Sequence, residues 1–144
     1  DGLKLLGVWS FNHRASKFGF EVSGKTIDAI NFYKDWFGDN DERCIVAGDF
    51  NNSIIWDKKG NDNNFNNIDG HLVDLGFVSN YHKLKDEGFG KESYATFFHT
   101  KKESKKYHID YIYSKNLNPL ELKVGSYAEW ISYSDHSPLI AELG

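Results

Sequence analysis

The residues best suited to chemistry lie where an apolar stretch of the chain ends. Residues 48–51 read GDFN and directly follow a short, nearly all-apolar run at residues 43–47. Glycine, aspartate and asparagine are common turn residues, so an ordinary turn is one interpretation. The other is an active site, in which Asp49 orients or deprotonates a water and Asn51 donates a hydrogen bond to a developing oxyanion. The motif alone leaves both interpretations open.

Three other residues, all in the second half of the chain, help to decide between a turn and an active site. Asp110 lies inside HIDYIYS, an apolar β-rich run in which an ionised carboxylate is unfavourable unless it is paired or hydrogen-bonded. A carboxylate bonded to an imidazole fixes its tautomer and favours its protonated form, so a histidine from a neighbouring strand end is the predicted partner. Asp135 and His136, in SDHSP, either belong to a plain loop or supply a metal-proximal carboxylate and a cation for a phosphate oxygen.

The elements that position these residues follow from apolar periodicity. The sequence predicts a strand at residues 3–9, a helix at residues 25–37 and a buried, central strand at residues 43–47. Residues 51–70 are rich in Asn and Asp and predict a loop with at most one helical turn, followed by a short helix at residues 71–75. Four β-rich stretches come next, at residues 94–100, 107–114, 123–130 and 138–143. This order indicates one α/β layered domain spanning residues 1–144.

Other motifs fail on their own requirements. GFGKES, residues 88–93, lacks the Ser or Thr after the lysine and the upstream Gly that a phosphate loop needs. DNNFN, residues 62–66, lacks the later Gly and Glu of a calcium loop. The single cysteine, Cys44, cannot form an internal disulfide or a zinc cluster, and its apolar surroundings predict a buried thiol.

Composition and charge narrow the function classes. The hydrophobic content of 40% and the charged content of 26% are typical of a soluble globular domain. The formal net charge of −4 argues against sequence-independent coating of duplex DNA, but a bound divalent cation can reverse the local field at a phosphate site. No run approaches the roughly 18 apolar residues of a membrane helix, and no secretory signal is present. A cytoplasmic location is therefore expected, without an obligate protein partner.

Taken together, GDFN, HIDYIYS and SDHSPL resemble the C-terminal half of the endonuclease/exonuclease/phosphatase superfamily. This group includes abasic-site endonucleases, pancreatic-type deoxyribonucleases, inositol-polyphosphate 5-phosphatases and sphingomyelinases. The resemblance runs from GVWSFN to IAEL, which is nearly the whole chain. It implies the C-terminal lobe of a four-layer α/β sandwich, with mixed β-sheets face to face and helices outside. It also implies hydrolysis of phosphoesters by in-line water attack with Mg²⁺ or Mn²⁺.

The resemblance implies a role for each motif residue. Asp49 positions or activates the attacking water, and Asn51 stabilises the pentavalent phosphorane. Asp110 orients His136, which contacts the scissile phosphate. Asp135 belongs to the metal-binding or histidine-supporting cluster.

Two departures from the family pattern concern the start of the chain. The family's main metal-binding glutamate lies in its N-terminal half, so the N-terminal part is expected to be missing here. Where relatives carry a catalytic histidine or tyrosine, this chain has Trp9, and an indole cannot act as an acid or base. Asn12, three residues later, resembles the amide that touches the substrate phosphate.

The expected function is a phosphodiesterase or nuclease, with DNA among its candidate substrates. An inositol or lipid phosphatase and a degenerate module that only binds a phosphate ligand are the alternatives. Two further features have less weight. Lys101, Lys102, Lys105 and Lys106 lie between two β-rich stretches and predict a solvated hairpin tip. The aromatic residues beside them could stack on a base or pack in the core: Phe97, Phe98 and Tyr107.

Overall fold

The computed structural model describes residues 2–11, 25–38 and 41–144. In chain order its strands and helices are β1 (Leu3–Trp9), α1 (Thr26–Tyr33), β2 (Arg43–Asp49), α2 (Phe65–Asp74), β3 (Val78–Ser79), α3 (Asn80–Lys85), β4 (Phe97–Phe98), β5 (Lys106–Tyr107), β6 (Asp110–Lys115), β7 (Pro119–Val124), α4 (Tyr127–Trp130) and β8 (Leu139–Leu143). Single 3₁₀ turns lie at Ile54–Trp56 and His99–Lys101. The α/β class predicted from the sequence is confirmed, with mixed sheets and helices packed as in an α/β sandwich.

The principal sheet has four strands in the order β1, β2, β6, β3. Strand β1 runs parallel to β2, whereas β6 is antiparallel to both β2 and β3. The register pairs Trp9 with Asp49 across β1 and β2, and Asp49 with Asp110 across β2 and β6. One end of the sheet therefore presents residues from three different parts of the chain side by side.

One face of this sheet carries the hydrophobic core. Side chains alternate between the two faces of a strand, and Cys44 and Val46 of β2 are fully buried on the core side. The core is completed by aromatic residues of β6 and apolar residues of α1 and α2: Tyr111, Tyr113, Ile30, Phe65, Ile68 and Leu72. Burial of this apolar surface is what fixes the helices against the sheet.

The opposite face of the sheet is less covered. Leu5 and Trp9 of β1 are 62% and 74% exposed, and Ala47 of β2 is half-buried. The β7–β8 hairpin contacts this part of the molecule through β6. The prediction of a central strand covered on both faces is therefore correct for its position, but only one face of β2 is fully buried.

The helix boundaries differ from the sequence prediction. Helix α1 ends at Tyr33, and turns rather than helix continue to Phe37. Helix α2 begins at Phe65, within the segment predicted as loop. Its start is stabilised by Asp57, whose carboxylate accepts hydrogen bonds from the backbone N–H groups of Phe65 and Asn66 at 2.7 and 3.0 Å. Such a cap from a distant residue supplies acceptors for helix N–H groups that have no partner within the helix.

The predictions of strands and helices for the second half of the chain are corrected in three places. The stretch predicted at residues 94–100 contains only the two-residue strand β4, followed by a 3₁₀ turn. Residues 123–130 are not one strand, because β7 ends at Val124 and α4 follows. Helix α3 was not predicted at all. Among the described residues, no helix combines the length and apolar character that crossing a membrane requires.

Candidate active site

The GDFN motif lies at the end of the principal sheet, and Asp49 is the last residue of β2. The bend that follows is held from both sides. The Ser10 N–H donates to the Asp49 carbonyl at 3.0 Å, and the Phe50 N–H donates to the Ile109 carbonyl at 3.0 Å. The Ser10 hydroxyl also donates to the Phe50 carbonyl. Ser10 directly follows β1 and Ile109 directly precedes β6, so hydrogen bonds from both neighbouring strands fix the course of the backbone at Asp49.

Gly48 makes this close packing of strands possible. Its φ of +140° lies in a region that favours glycine, and a β-carbon built there would lie 2.0 Å from the Val8 carbonyl oxygen. We expect Gly48→Ala to lower the free energy of unfolding by about 3 kcal/mol or more, because both a strained φ and a backbone clash would have to be accommodated. Urea unfolding followed by circular dichroism measures this.

The matched control for that substitution is Gly70→Ala. Gly70 lies inside α2, where an added β-carbon would meet nothing within 4 Å. The change should stabilise the protein by up to about 1 kcal/mol, since alanine is the better helix former. Equal effects of the two substitutions would show that the approach of Gly48 to Val8 does not constrain the fold.

Asn51 is bonded to both oxygens of Asp49. Its backbone N–H donates to Oδ1 and its side-chain Nδ2 donates to Oδ2, each at 2.8 Å. The residue adopts a left-handed φ of 45°, which asparagine tolerates better than most residues. The pair fixes the Asp49 carboxylate in one orientation and leaves the second N–H of the Asn51 amide available for another acceptor.

Asp110 and His136 form the second pair of the site. The His136 Nδ1 lies 3.0 and 3.2 Å from the two carboxylate oxygens of Asp110. The side chain of Asp110 is 17% exposed and that of His136 is 30% exposed, so the contact is partly shielded from water. The bond occupies Nδ1 and leaves Nε2 as the ring nitrogen that a ligand can reach.

The loop that carries His136 is attached to the short strand β4. The Phe98 N–H donates to the Asp135 carbonyl and the Ser137 N–H donates to the Thr96 carbonyl, both at 2.8 Å. The Phe97 ring packs on the imidazole of His136 with centroids 4.8 Å apart. These contacts determine where the imidazole lies relative to the sheet end.

Thr96 connects this loop to the Asp110 strand, and the sequence analysis did not single it out. The residue is fully buried, and its Oγ1 accepts hydrogen bonds from the N–H groups of Ile109 and Asp110 at 3.1 Å each. Its carbonyl holds Ser137. A threonine in a β-rich run carries no local signal of such a role, because both contacts are with residues distant in sequence.

We expect Thr96→Val to lower the free energy of unfolding by about 2–3 kcal/mol. Valine has nearly the same shape but removes the oxygen, which leaves two buried N–H groups without an acceptor. Thr96→Ser retains the hydroxyl and should lower the free energy of unfolding by less. Comparing the two variants by urea unfolding therefore measures the contribution of the hydrogen bonds to Oγ1. A valine variant as stable as the serine variant would contradict this.

Electrostatic interactions couple four ionisable side chains of the site: Asp49, Asp110, Asp135 and His136. Removal from water raises the pKa of Asp49 above its ordinary range, and the charges of Asp110 and Asp135 raise it further, against the opposing effect of the Asn51 N–H and His136. The hydrogen bond to Asp110 raises the pKa of His136, and the charges of Asp110, Asp49 and Asp135 add to this against the effect of burial. The site is thus negatively charged and favours a protonated imidazole.

Asp49, Asp110 and His136 could hold a cation. Each offers a ligand atom, and these atoms all lie within 4.8 Å of one another. Asp135 is not part of this three-residue group, although its charge acts on both Asp49 and His136. Asn12, the predicted phosphate contact, lies outside the described residues.

A groove of about 690 Å³ opens beside these residues. Asp49, Asp110 and His136 lie in its wall with Trp9, whose ring is mostly exposed, and Trp130 of α4. No lysine or arginine of the described residues lines it. The groove can therefore place a ligand against the carboxylates and the imidazole, but within the described part of the chain His136 is the one cationic side chain in its wall.

His82 is held by side chains within the fold. Its Nε2 lies 3.1 Å from Glu92 and its Nδ1 lies 2.7 Å from the Ser79 hydroxyl. It does not line the groove. Both ring nitrogens thus have partners within the fold.

No protein-family model and no curated protein sequence matches the chain. Among solved structures, an endonuclease/exonuclease/phosphatase family protein from Leptotrichia buccalis C-1013-b matches it with a TM-score of 0.51 and 25% sequence identity. The match covers 86% of this chain and 43% of that protein, so the chain spans less than half the length of this neighbour. The likeness is one of α/β fold.

Proposed function

We propose that this chain carries the reaction centre of a metal-dependent phosphodiesterase that cleaves its substrate by in-line attack of water. The observation that carries the proposal is the meeting of GDFN, Asp110 and His136 at one end of the sheet beside an open groove. Phosphoryl transfer is mainly a matter of positioning and charge stabilisation, and it requires carboxylates, amides and a cationic donor around one phosphorus.

The residues present fit Mg²⁺ or Mn²⁺. These ions prefer oxygen ligands, and the pKa of Asp49 is raised first by burial and then by the charges of Asp110 and Asp135, so that a bound cation would favour its ionised form. Carboxylate oxygens of Asp49 and Asp110 would hold the ion, since the Nδ1 of His136 is already bonded to Asp110. Asp135 would contribute its negative charge to the site. When bound, the ion would offset negative charge on the phosphate and favour ionisation of water.

In this proposal Asp49 accepts a proton from the attacking water, and Asn51 stabilises the negative charge that develops on the phosphorane. The carboxylate of Asp49, held by both donors of Asn51, orients the attacking water and accepts its proton. The remaining N–H of the Asn51 amide donates to an equatorial oxygen of the phosphorane. Asp49 lines the groove, and Asn51, with its left-handed φ, is hydrogen-bonded to the Asp49 carboxylate.

His136 supplies the cation in this scheme. Asp110 keeps a proton on Nδ1 and stabilises the imidazolium, so Nε2 carries a proton that can be donated to a phosphate oxygen. The donor strengthens as negative charge develops on that oxygen, which is the requirement for lowering the barrier rather than merely binding the substrate.

The test is hydrolysis of bis-p-nitrophenyl phosphate by the purified protein. We expect turnover with Mg²⁺ or Mn²⁺ and its loss in EDTA, and Asp135→Asn should raise the Mg²⁺ concentration needed for half-maximal rate. A protein that is folded by circular dichroism yet shows no metal-dependent turnover would reject the proposal.

A non-catalytic phosphate-binding module is the second candidate, and Trp9 favours it. The residue pairs with Asp49 in the sheet and lines the groove, and its indole can neither donate nor accept the proton of a general acid or base. Such a module would bind inorganic phosphate or a non-hydrolysable phosphonate in a calorimetric titration without turnover of any ester. The same protein preparation can therefore distinguish the two functions.

A further inference from the structure

A row of four rings leads away from His136 along the surface. The His136 and Phe97 centroids are 4.8 Å apart, Phe97 and Tyr107 stack at 6.4 Å, and Tyr107 and Trp56 lie 5.0 Å apart. Trp56, at the far end, is 40% exposed. We call these four residues the aromatic row. It begins at the proposed reaction centre and reaches side chains outside the groove.

A cluster of lysines lies beside the row. Residues 99–106, here called the lysine hairpin, connect Phe98 to Tyr107 and read HTKKESKK, with four lysines and one glutamate. All four lysines are exposed, and none forms an ion pair with any residue that the structure describes. Two more lysines, Lys58 and Lys59, follow Trp56 in sequence. This concentration of positive charge stands out in a chain of net charge −4.

The lysine hairpin has an ordered backbone. The His99 N–H donates to the Lys105 carbonyl and the Lys105 N–H donates to the Lys102 carbonyl, both at 2.9 Å. The Tyr127 hydroxyl donates to the Lys101 carbonyl at 2.9 Å. Binding therefore needs little ordering of this segment, which lowers its entropic penalty.

We propose that the aromatic row and the lysine hairpin bind a single-stranded polynucleotide and so define the substrate class of the proposed phosphodiesterase. The inference rests on that proposed function. Unpaired bases would stack on Trp56 and Tyr107, and phosphates beyond the scissile one would lie along the lysines. Stacking requires bases outside a duplex, so single strands are favoured over duplexes.

The distribution of charge favours a chain over a compact ligand. An inositol polyphosphate held in the groove would need several cations converging on it, and no lysine or arginine of the described residues lines the groove. The lysines lie instead on a hairpin beyond the rings. A polymer that carries one phosphate per unit matches this arrangement. An anionic membrane surface would also attract the lysines, so the experiment compares it with the polynucleotide.

The test measures binding in EDTA, so that no hydrolysis occurs. The probe is a fluorescein-labelled oligothymidylate of about twelve nucleotides, followed by fluorescence anisotropy at increasing salt. The triple variant Lys102→Gln, Lys105→Gln and Lys106→Gln should bind about tenfold more weakly at low salt. The slope of log affinity against log salt should fall by roughly 0.7 for each lost phosphate contact.

A variant of equal charge change serves as the control. Lys34, Lys83 and Lys123 are all exposed and lie directly after α1, on α3 and on β7. Their joint replacement by glutamine should leave affinity within about twofold. Trp56→Ala should weaken binding about tenfold, whereas Phe32→Ala, which removes a ring that is 67% exposed on α1, should not.

An equal loss of affinity for the oligonucleotide in both triple variants would overturn the inference. Tighter binding to phosphatidylcholine vesicles containing phosphatidylserine than to the oligonucleotide would also overturn it. The proposed phosphodiesterase activity is judged separately, by hydrolysis of bis-p-nitrophenyl phosphate. A protein that turns over this ester but fails to bind the oligonucleotide would refute only the substrate class.

Discussion

Asp49→Asn is expected to lower kcat for bis-p-nitrophenyl phosphate by about a thousandfold, or about 4 kcal/mol of transition-state stabilisation. The amide is nearly the same size as the carboxylate, but it cannot accept the proton of the attacking water and it weakens the hold on a cation. It also faces the two donors of Asn51 with only one acceptor oxygen. Initial rates at saturating Mg²⁺, with both proteins at equal folded concentration, give the comparison.

Two controls separate chemistry from folding in that experiment. Asp74→Asn removes an exposed carboxylate from the last residue of α2 and should leave kcat unchanged within about twofold. Urea unfolding of Asp49→Asn should show a cooperative transition, because removal of a partly buried charge offsets part of the lost hydrogen bonding. If kcat of the folded variant fell by less than about tenfold, Asp49 could not be the residue that activates water.

The positions of the candidate site residues could be predicted because the signals are local. GDFN directly follows an apolar run and so marks the end of a strand, whereas Asp110, a lone carboxylate expected inside the stretch at residues 107–114, is the first residue of β6. Pairing of those two strands in antiparallel register is then enough to bring Asp49 and Asp110 together. Sequence reasoning succeeds here since a strand end and its adjacent polar residue are defined by neighbours in the chain.

The elements that were missed depend on contacts between distant residues. Helix α2 contains asparagines and an interior glycine, which are poor helix formers, and it is stabilised by burial of Phe65, Ile68 and Leu72 and by the cap from Asp57. Thr96 acquires its role only when β4 lies between the Asp110 strand and the His136 loop. No window of the sequence contains these interactions, so local propensity could not predict them.

Asp110→Asn is expected to move the titration of His136 to lower pH and, with it, the alkaline limb of the rate profile. The hydrogen bond from Asp110 is the main cause of the raised pKa of His136, and the charge of Asp110 adds to it. An asparagine supplies neither the negative charge nor the preference for imidazolium. In metal-free buffer, the ring protons of His136 followed by NMR should titrate at a lower pH in the variant than in the wild type.

The same change has a signed effect on stability. A histidine whose pKa is raised by folding contributes stability that is fully present below its unfolded pKa of about 6.5 and is lost as pH rises through the folded value. The difference in unfolding free energy between wild type and Asp110→Asn should therefore be larger just below pH 6.5 than above the folded-state pKa of His136. Asp135→Asn, whose charge contributes least to the shift, should move the titration in the same direction by a smaller amount. An unchanged or higher pKa of His136 in Asp110→Asn would show that the pair does not stabilise the imidazolium, and the role of His136 as the cation at the phosphate would have to be abandoned.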